Sequence, residues 1–213
     1  MANTVTFLRF CLLFLIIGLL YGAPPAWRLV NAPLVVLVIA LDALDGYLAR
    51  RRGETSVFGS VFDIAVDRAV ENVLWIVLAD VGRVPIWAPV VFVTRGAFVD
   101  SIRSHAVADG ETPFGMMRGS LARLLVGGRF LRAFYGTLKA LTFGLLLFLE
   151  PMPELLPDFW HRWSASLESL TWSLVLITVI LCVVRGVPVL WEFVQREAAP
   201  RRTESRPRRR GTA

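Results

Sequence analysis

Long apolar stretches alternate with short polar segments along the 213 residues of this chain. A helix needs about 20 consecutive, mostly apolar residues to cross the hydrocarbon core of a bilayer. By that measure the pattern predicts six membrane-spanning helices, at residues 7–22, 29–49, 58–80, 84–106, 130–150 and 166–192. The sixth stretch is longer than one crossing requires, so we expect it to tilt or to extend into water. The pattern therefore predicts an all-α integral membrane protein with six transmembrane helices.

Composition supports the same class. Hydrophobic residues make up 55% of the chain and charged residues 19%, and the mean hydropathy is +0.59. Typical soluble domains are about 45–50% apolar and about 25% charged. The composition therefore argues against a soluble domain and for helices that face lipid.

Arginine residues are concentrated in segments that six spans would place on one side of the membrane. These segments are the turn after the second span, the loop between the fourth and fifth spans, and the C-terminal tail. Because basic segments are retained on the cytoplasmic side, we expect both termini to be cytoplasmic and the protein to lie in the cytoplasmic (inner) membrane. The formal charge of +6 follows from this topology, and we expect no nucleic-acid partner.

The chain divides into two parts by composition. Residues 1–195 are predicted to form one membrane domain, and residues 196–213 a basic cytoplasmic tail. The tail is rich in arginine and proline and has no apolar periodicity, so we predict that it is disordered. It either binds anionic lipid headgroups or serves only to set the orientation of the protein.

Four aspartates lie in two pairs inside otherwise apolar sequence. Asp42 and Asp45 end the apolar part of the second span, and Asp63 and Asp67 begin the third. Spacings of three and four residues place each pair on one face of a helix. Four such carboxylates would repel one another unless cations lay between them. Oxygen ligands favour Mg²⁺, with Mn²⁺ or Ca²⁺ as alternatives, and two ions so held could bind a pyrophosphate. The pairs lie at the cytoplasmic ends of their spans, so the site should face the cytoplasm.

The residues around the aspartates suit a phosphate ligand. Gly46 and Gly59 lie close to acids in the sequence, and glycine lets a ligand approach the backbone closely. Arg50 follows Asp42 by two helical turns and can donate two hydrogen bonds to phosphate oxygens. The alternative for any single aspartate is a helix cap or a salt bridge with a nearby arginine. All four acids at these spacings, with two glycines, favour a metal and phosphate site.

Polar residues also recur near the N-terminus and inside the later spans. Asn3, Thr6 and Arg9 are three residues apart and share a broad helix face, although an arginine there could simply extend its head to the membrane interface. Asp100 in the fourth span could pair with Arg95 or Arg103. Charges at this depth are costly and usually face a polar interior. Two arginines for one aspartate leave an excess of positive charge, which suits an anionic ligand.

The pattern D-x-x-D-G-x-x-A-R-x8-G-x3-D-x3-D runs from Asp42 to Asp67. It resembles, position for position, the motif of the CDP-alcohol phosphatidyltransferase family, and it covers 26 of the 213 residues. The N-x-x-T-x-x-R segment that begins at Asn3 is similar to the N-terminal segment of the same family. The resemblance implies a six-helix membrane core and a homodimer.

The resemblance also implies a reaction and roles for single residues. A CDP-linked lipid, usually CDP-diacylglycerol, would give its phosphatidyl group to the hydroxyl of a water-soluble alcohol, and CMP would leave. Asp42, Asp45 and Asp63 would bind metal, and Asp67 would both bind metal and act as the general base. The positions implied for CDP-lipid binding are Asn3, Thr6, Gly46, Arg50, Ser56 and Gly59.

The acceptor alcohol is expected to be phosphorylated. In family members that use such acceptors, basic residues beyond the motif bind the acceptor phosphate, and Arg95, Arg103 and Lys139 are the candidates here. The segment Y-G-T-L-K-A around Lys139 resembles the G-K-x-K-T of members that use glycerol phosphate, with one of the two lysines absent. Glycerol 3-phosphate is therefore favoured, and inositol phosphate or another polyol is the alternative.

A divalent-cation transporter is a second hypothesis from a different class, because acids within membranes also mark ion pathways. The four aspartates lie towards one membrane face, however, whereas transporter sites usually lie at the bilayer midplane. The sequence therefore favours the transferase.

Overall fold

A computed structural model of the protein describes the backbone of residues 2–52, 57–108 and 128–198. Within these ranges the regular secondary structure is entirely α-helical. The described residues form six long helices and two single-turn helices, in the order α1 (Ala2–Gly22), α2 (Pro25–Arg28), α3 (Asn31–Arg52), α4 (Val57–Asp80), α5 (Trp87–Ala108), α6 (Arg129–Leu149), α7 (Met152–Leu155) and α8 (Pro157–Ala198). The predicted all-α class is confirmed.

Each of the six predicted spans lies on one of the long helices. Among the described residues, four segments are long and apolar enough to cross a membrane: Thr4–Gly22, Pro25–Asp42, Phe130–Leu155 and Pro157–Gln195. Helices α4 and α5 are of similar length, but acidic and basic residues are distributed along them, and they are not among these four segments. The crossing of all six helices and the cytoplasmic location of the termini remain predictions.

Helix α8 is longer than the sequence pattern predicted. It has 42 residues, which corresponds to a length of about 63 Å, and it begins at residue 157 rather than 166. The additional residues are polar and aromatic, so a search for apolar runs excludes them. Pro157 has the fixed φ that suits the first turn of a helix, and Asp158 lies where acidic residues stabilise the helix N-terminus. The predicted tail falls mainly on residues 199–213, which lie outside the described residues.

The turn after α4 shows how a long helix is ended by its sequence. Gly82 has a φ of +75°, a backbone conformation that glycine adopts without steric cost. This turn directs the backbone N–H groups of Arg83 and Val84 back to the carbonyl oxygen of Leu78, at 2.8 and 3.2 Å. The carbonyl is satisfied, and the chain can reverse into α5.

The helices pack so that α1 contacts α3 and α4, α3 contacts α6, and α8 contacts α5 and α6. Trp75 of α4 lies at the centre with no exposed surface. Its ring stacks on Phe92 of α5 and lies against Phe143 of α6, at centroid distances of 4.4 and 4.8 Å. Many large apolar side chains face outward, among them Phe14 and Trp191. A helix that is apolar on all sides is typical of membrane proteins.

Ion pairs join the segments at the end of the bundle where α1 finishes. Arg28 contacts Glu150 at 2.9 Å and Glu154 at 3.0 Å. Arg83 donates a hydrogen bond to the backbone carbonyl of Glu150 and lies over the ring of Trp160. These contacts connect α2, α7 and the start of α8. The aspartate pairs lie towards the other end of α3 and α4.

Candidate active site

Arg9 of α1 brings three of the four predicted acids together. Its guanidinium Nη1 lies 2.7 Å from Oδ1 of Asp42 on α3 and 3.1 Å from Oδ1 of Asp63 on α4. Its Nη2 lies 3.6 Å from Oδ1 of Asp67. The Arg9 side chain is only 1% exposed, whereas the three carboxylates are 42–45% exposed. Arg9 therefore points into the bundle, and its extension to the membrane interface, considered from the sequence, is wrong.

Helix packing explains this convergence. Asp63 and Asp67 are one turn apart on α4, and α1 packs against both α3 and α4, so a long side chain from α1 reaches both helices. Thr6 lies one turn before Arg9 and is buried, with 2% exposure. Gly59 lies one turn before Asp63 and is half-buried. Of the predicted CDP-lipid residues, Thr6 therefore lies one turn from Arg9 and Gly59 lies one turn from Asp63.

Several predicted site residues cannot be compared with the structure. The side chains of Asn3, Asp45, Arg50 and Arg103, the surroundings of Gly46, and all of Ser56 lie outside the described residues. The roles predicted for them remain predictions.

The three described aspartates have the donor chemistry of a site for a hard divalent cation. Their carboxylate oxygens are the ligands that Mg²⁺ prefers, and all three lie within 3.6 Å of one guanidinium. Among the described side chains, however, no three from His, Cys, Asp and Glu are arranged to hold a metal ion as they stand. Arg9 occupies the space between the carboxylates. The residues therefore fit a metal provided that Arg9 gives up some of these oxygens.

A second group of charges lies next to the carboxylates. Glu71, one turn after Asp67, is buried and accepts hydrogen bonds from Lys139 of α6 and Arg68 of α4, both at 3.0 Å. Arg68 also donates two hydrogen bonds to Asp100 of α5, at 2.5 and 3.2 Å. We call Arg68, Glu71, Asp100 and Lys139 the charge quartet. Its two positive and two negative charges balance, which makes its burial tolerable.

One cavity of about 100 Å³ is lined by members of both groups. Its polar lining consists of Arg9, Asp42, Asp67, Glu71 and Lys139. Its apolar lining comes from α3, α4 and α6 and includes Val38, Leu74 and Phe143. The predicted base and one predicted ligand of the acceptor phosphate therefore share one space.

A third group of charged residues, all of them cations, lies around Tyr135 of α6. The guanidinium of Arg185, from α8, lies 5.3 Å from the centre of the tyrosine ring, and Nζ of Lys139 lies 4.9 Å from it. Arg95 of α5 crosses α8 at Gly186 and is close enough to Arg185 for their charges to repel each other. Among the described residues, Nε of Arg95 has no hydrogen-bond partner. We call Arg95, Lys139 and Arg185 the cation group.

The sequence patterns assign no function to three residues of this region, Arg9, Glu71 and Arg185. Each is a charged residue inside a predicted span, where insertion costs about 2.5–3.5 kcal/mol. That cost is the signal that could have identified them.

These observations describe an integral membrane protein whose polar groups are gathered in a site between apolar helices. A sequence model of the CDP-alcohol phosphatidyltransferase family matches residues 1–184, and the chain therefore belongs to that family.

Two curated relatives illustrate the similarity. The chain is 27% identical over 97 residues to CDP-diacylglycerol–glycerol-3-phosphate 3-phosphatidyltransferase of Bacillus subtilis (strain 168), covering 46% of this chain and 50% of the relative. It is 29% identical over 116 residues to a probable phosphatidylglycerophosphate synthase of Mycobacterium tuberculosis (strain ATCC 25618 / H37Rv), covering 53% of this chain and 56% of the relative. The matches span about half the length of these proteins.

The charge quartet gives a first prediction. Replacing Lys139 by Met leaves Glu71 with Arg68 alone and gives the quartet a net negative charge in an apolar bundle. We expect a loss of stability somewhat below the roughly 3–5 kcal/mol found when a buried ion pair loses one partner. The combined substitution Lys139→Met and Glu71→Gln restores neutrality and should recover at least half of that loss.

Thermal unfolding of the purified variants in detergent measures both effects, with Glu71→Gln alone completing the cycle. A double variant no more stable than Lys139→Met would contradict the charge balance.

Proposed function

We propose that this protein transfers a phosphatidyl group from CDP-diacylglycerol to the hydroxyl of a phosphorylated alcohol, with glycerol 3-phosphate favoured, and releases CMP. The observation that carries the proposal is the cavity shared by Asp42, Asp67 and Lys139. Family membership supports the phosphatidyl transfer and favours it over cation transport. The names of the relatives support glycerol 3-phosphate, at 27–29% identity. Inositol phosphate or another polyol remains the alternative acceptor.

The carboxylate group would handle the pyrophosphate of the CDP-lipid. Asp42, Asp45, Asp63 and Asp67 would hold divalent cations, two Mg²⁺ in this proposal with Mn²⁺ as a substitute. When bound, these ions would supply the positive charge that neutralises the phosphate oxygens and the leaving CMP. The half-exposed carboxylates lie where a polar headgroup could reach them, and the lipid tails would remain among the apolar helices.

Asp67 is the residue proposed to accept the proton. The acceptor oxygen forms a bond to phosphorus, the bond from phosphorus to the CMP oxygen breaks, and the hydroxyl proton passes to the Asp67 carboxylate. At 45% exposure this carboxylate is accessible to a water-soluble alcohol. Its place beside Lys139 in the same cavity would put the hydroxyl and the phosphate of one small acceptor within reach of both groups.

The cation group supplies the physical reason for an anionic acceptor. Arg95 and Arg185 place two guanidinium groups next to the neutral charge quartet, close to Gly186 and Tyr135. An acceptor phosphate bound near Tyr135 would accept charge-assisted hydrogen bonds from these groups. A neutral alcohol would offer them no opposite charge. We also propose, from the family resemblance, that the protein works as a homodimer in the inner membrane with its site facing the cytoplasm.

An acceptor screen tests the reaction and the acceptor together. The purified protein in detergent is given CDP-diacylglycerol, Mg²⁺ and one of glycerol 3-phosphate, inositol phosphate, glycerol or inositol. We expect CMP release and a new lipid only with the phosphorylated acceptors, fastest with glycerol 3-phosphate. If no acceptor stimulates CMP release, the transferase proposal is wrong. If the neutral alcohols react equally well, the role of the cation group is wrong.

Replacement of Asp67 by Asn tests the base. The amide cannot accept the proton, so we expect the rate of CMP release to fall by about 10²–10⁴-fold, with thermal stability in detergent close to that of the wild type. Asp158→Asn, at the exposed start of α8, is the matched control and should retain full activity. A wild-type rate for Asp67→Asn would remove Asp67 from the mechanism.

Gly186→Ala tests the acceptor site without removing a charge. A Cβ atom at residue 186 would lie 2.8 Å from Cγ of Arg95, so Arg95 must move. Because a charged hydrogen bond would be lost, we expect the KM for the phosphorylated acceptor to rise by about tenfold or more, with the KM for CDP-diacylglycerol unchanged. Gly144→Ala is the control, since its Cβ would meet only Val36 at an ordinary 3.7 Å. Equal effects of the two substitutions on the acceptor KM would argue against this placement.

A further inference from the structure

Arg9 contacts the carboxylates directly, in the way that a bound cation would. One nitrogen, Nη1, lies within hydrogen-bonding distance of Oδ1 of both Asp42 and Asp63, at 2.7 and 3.1 Å. These two carboxylates belong to different helices, α3 and α4. A single positive group therefore connects the two halves of the motif.

Because the Arg9 side chain is buried, Arg9 and the aspartates depend on each other for charge compensation. Arg9 is 1% exposed, and its Nε has no hydrogen-bond partner among the described residues. Its charge is therefore compensated by the aspartates rather than by water. The aspartates, in turn, would repel one another across α3 and α4 without a cation. The positive charge of Arg9 and the negative charges of the aspartates therefore compensate each other within the bundle.

The same oxygens cannot serve Arg9 and a metal ion equally. A carboxylate oxygen that binds Mg²⁺ sits at about 2.0–2.1 Å from it, and a guanidinium on that oxygen would face the ion at close range with like charge. Asp42, Asp63 and Asp67 are gathered around Arg9, and no three of the described acidic side chains are arranged to hold a metal ion as they stand. The arrangement is that of a site occupied by an internal cation.

We infer that Arg9 is the resident counter-ion of the carboxylate site, and that a divalent cation must displace it from Asp42 and Asp63. Arg9 then keeps the site assembled when metal is absent and lowers its affinity for metal. This inference rests on the proposed metal-dependent function and deepens it. Arg9 acts as a positioning residue, through the carboxylates.

The affinity for Mn²⁺ alone tests this competition. Purified wild-type protein and Arg9→Gln in detergent are titrated with Mn²⁺, and the free ion is measured by electron paramagnetic resonance. We expect Arg9→Gln to bind Mn²⁺ about tenfold more tightly, because a like charge has been removed from the site. We also expect Arg9→Gln to be less stable without metal and to show the larger rise in Tm when Mn²⁺ is added.

Arg28→Gln is the matched control. Arg28 of α2 is likewise paired with acids, Glu150 and Glu154, but it lies at the other end of the bundle. We expect it to lower the Tm and to leave the Kd for Mn²⁺ unchanged. A general loss of stability is thereby separated from an effect on the metal site.

Weaker or unchanged Mn²⁺ binding by Arg9→Gln, with wild-type binding intact, would overturn the inference and leave the proposed function standing. If Arg9→Gln does not fold, Arg9→Lys decides. Its single ammonium pairs less well with two carboxylates, so tighter Mn²⁺ binding is expected and unchanged or weaker binding would overturn the inference. Absence of Mn²⁺ binding by the wild type and every variant would remove the proposed metal site itself.

Discussion

The compensation of negative charge inside an apolar bundle is the constraint on which this structure depends. Asp42, Asp63 and Asp67 come from two helices, and the described cation between them is Arg9 from a third. In lipid, uncompensated charge is far more costly than in water. The packing of α1 against both α3 and α4 lets one guanidinium reach both sets of acids.

The other charged groups divide the site into regions with different proposed tasks. The charge quartet is neutral and joins α4, α5 and α6. The cation group around Tyr135 adds positive charge from α5 and α8. Negative charge thus lies where divalent cations and a pyrophosphate are proposed, and positive charge lies where an acceptor phosphate is proposed. Lys139 belongs to both the charge quartet and the cation group, and it therefore links these two groups.

The sequence predicted most of the fold because apolar runs and helix length are coupled by the thickness of the bilayer. All six long helices were predicted from the sequence. The observed α8 is longer than its predicted span, because its first turns are polar and carry no apolar signal. The spacing within each aspartate pair predicted a shared helix face, and Asp63 and Asp67 do lie near the same guanidinium. Their actual partner, Arg9, could not be predicted in the same way, because that contact depends on how α1 packs against two other helices. The contacts of Glu71 and Arg185 depend likewise on tertiary packing.

Equilibrium binding of CDP to the detergent-solubilised protein, measured by calorimetry with Mg²⁺ and again with EDTA, tests the central claim most directly. That claim is that the carboxylates gathered around Arg9 bind a nucleotide pyrophosphate through divalent cations. We expect CDP to bind in the presence of Mg²⁺, and binding to be lost both with EDTA and in Asp42→Asn with Mg²⁺ present. CDP binding of equal affinity with EDTA, or in Asp42→Asn, would contradict the claim.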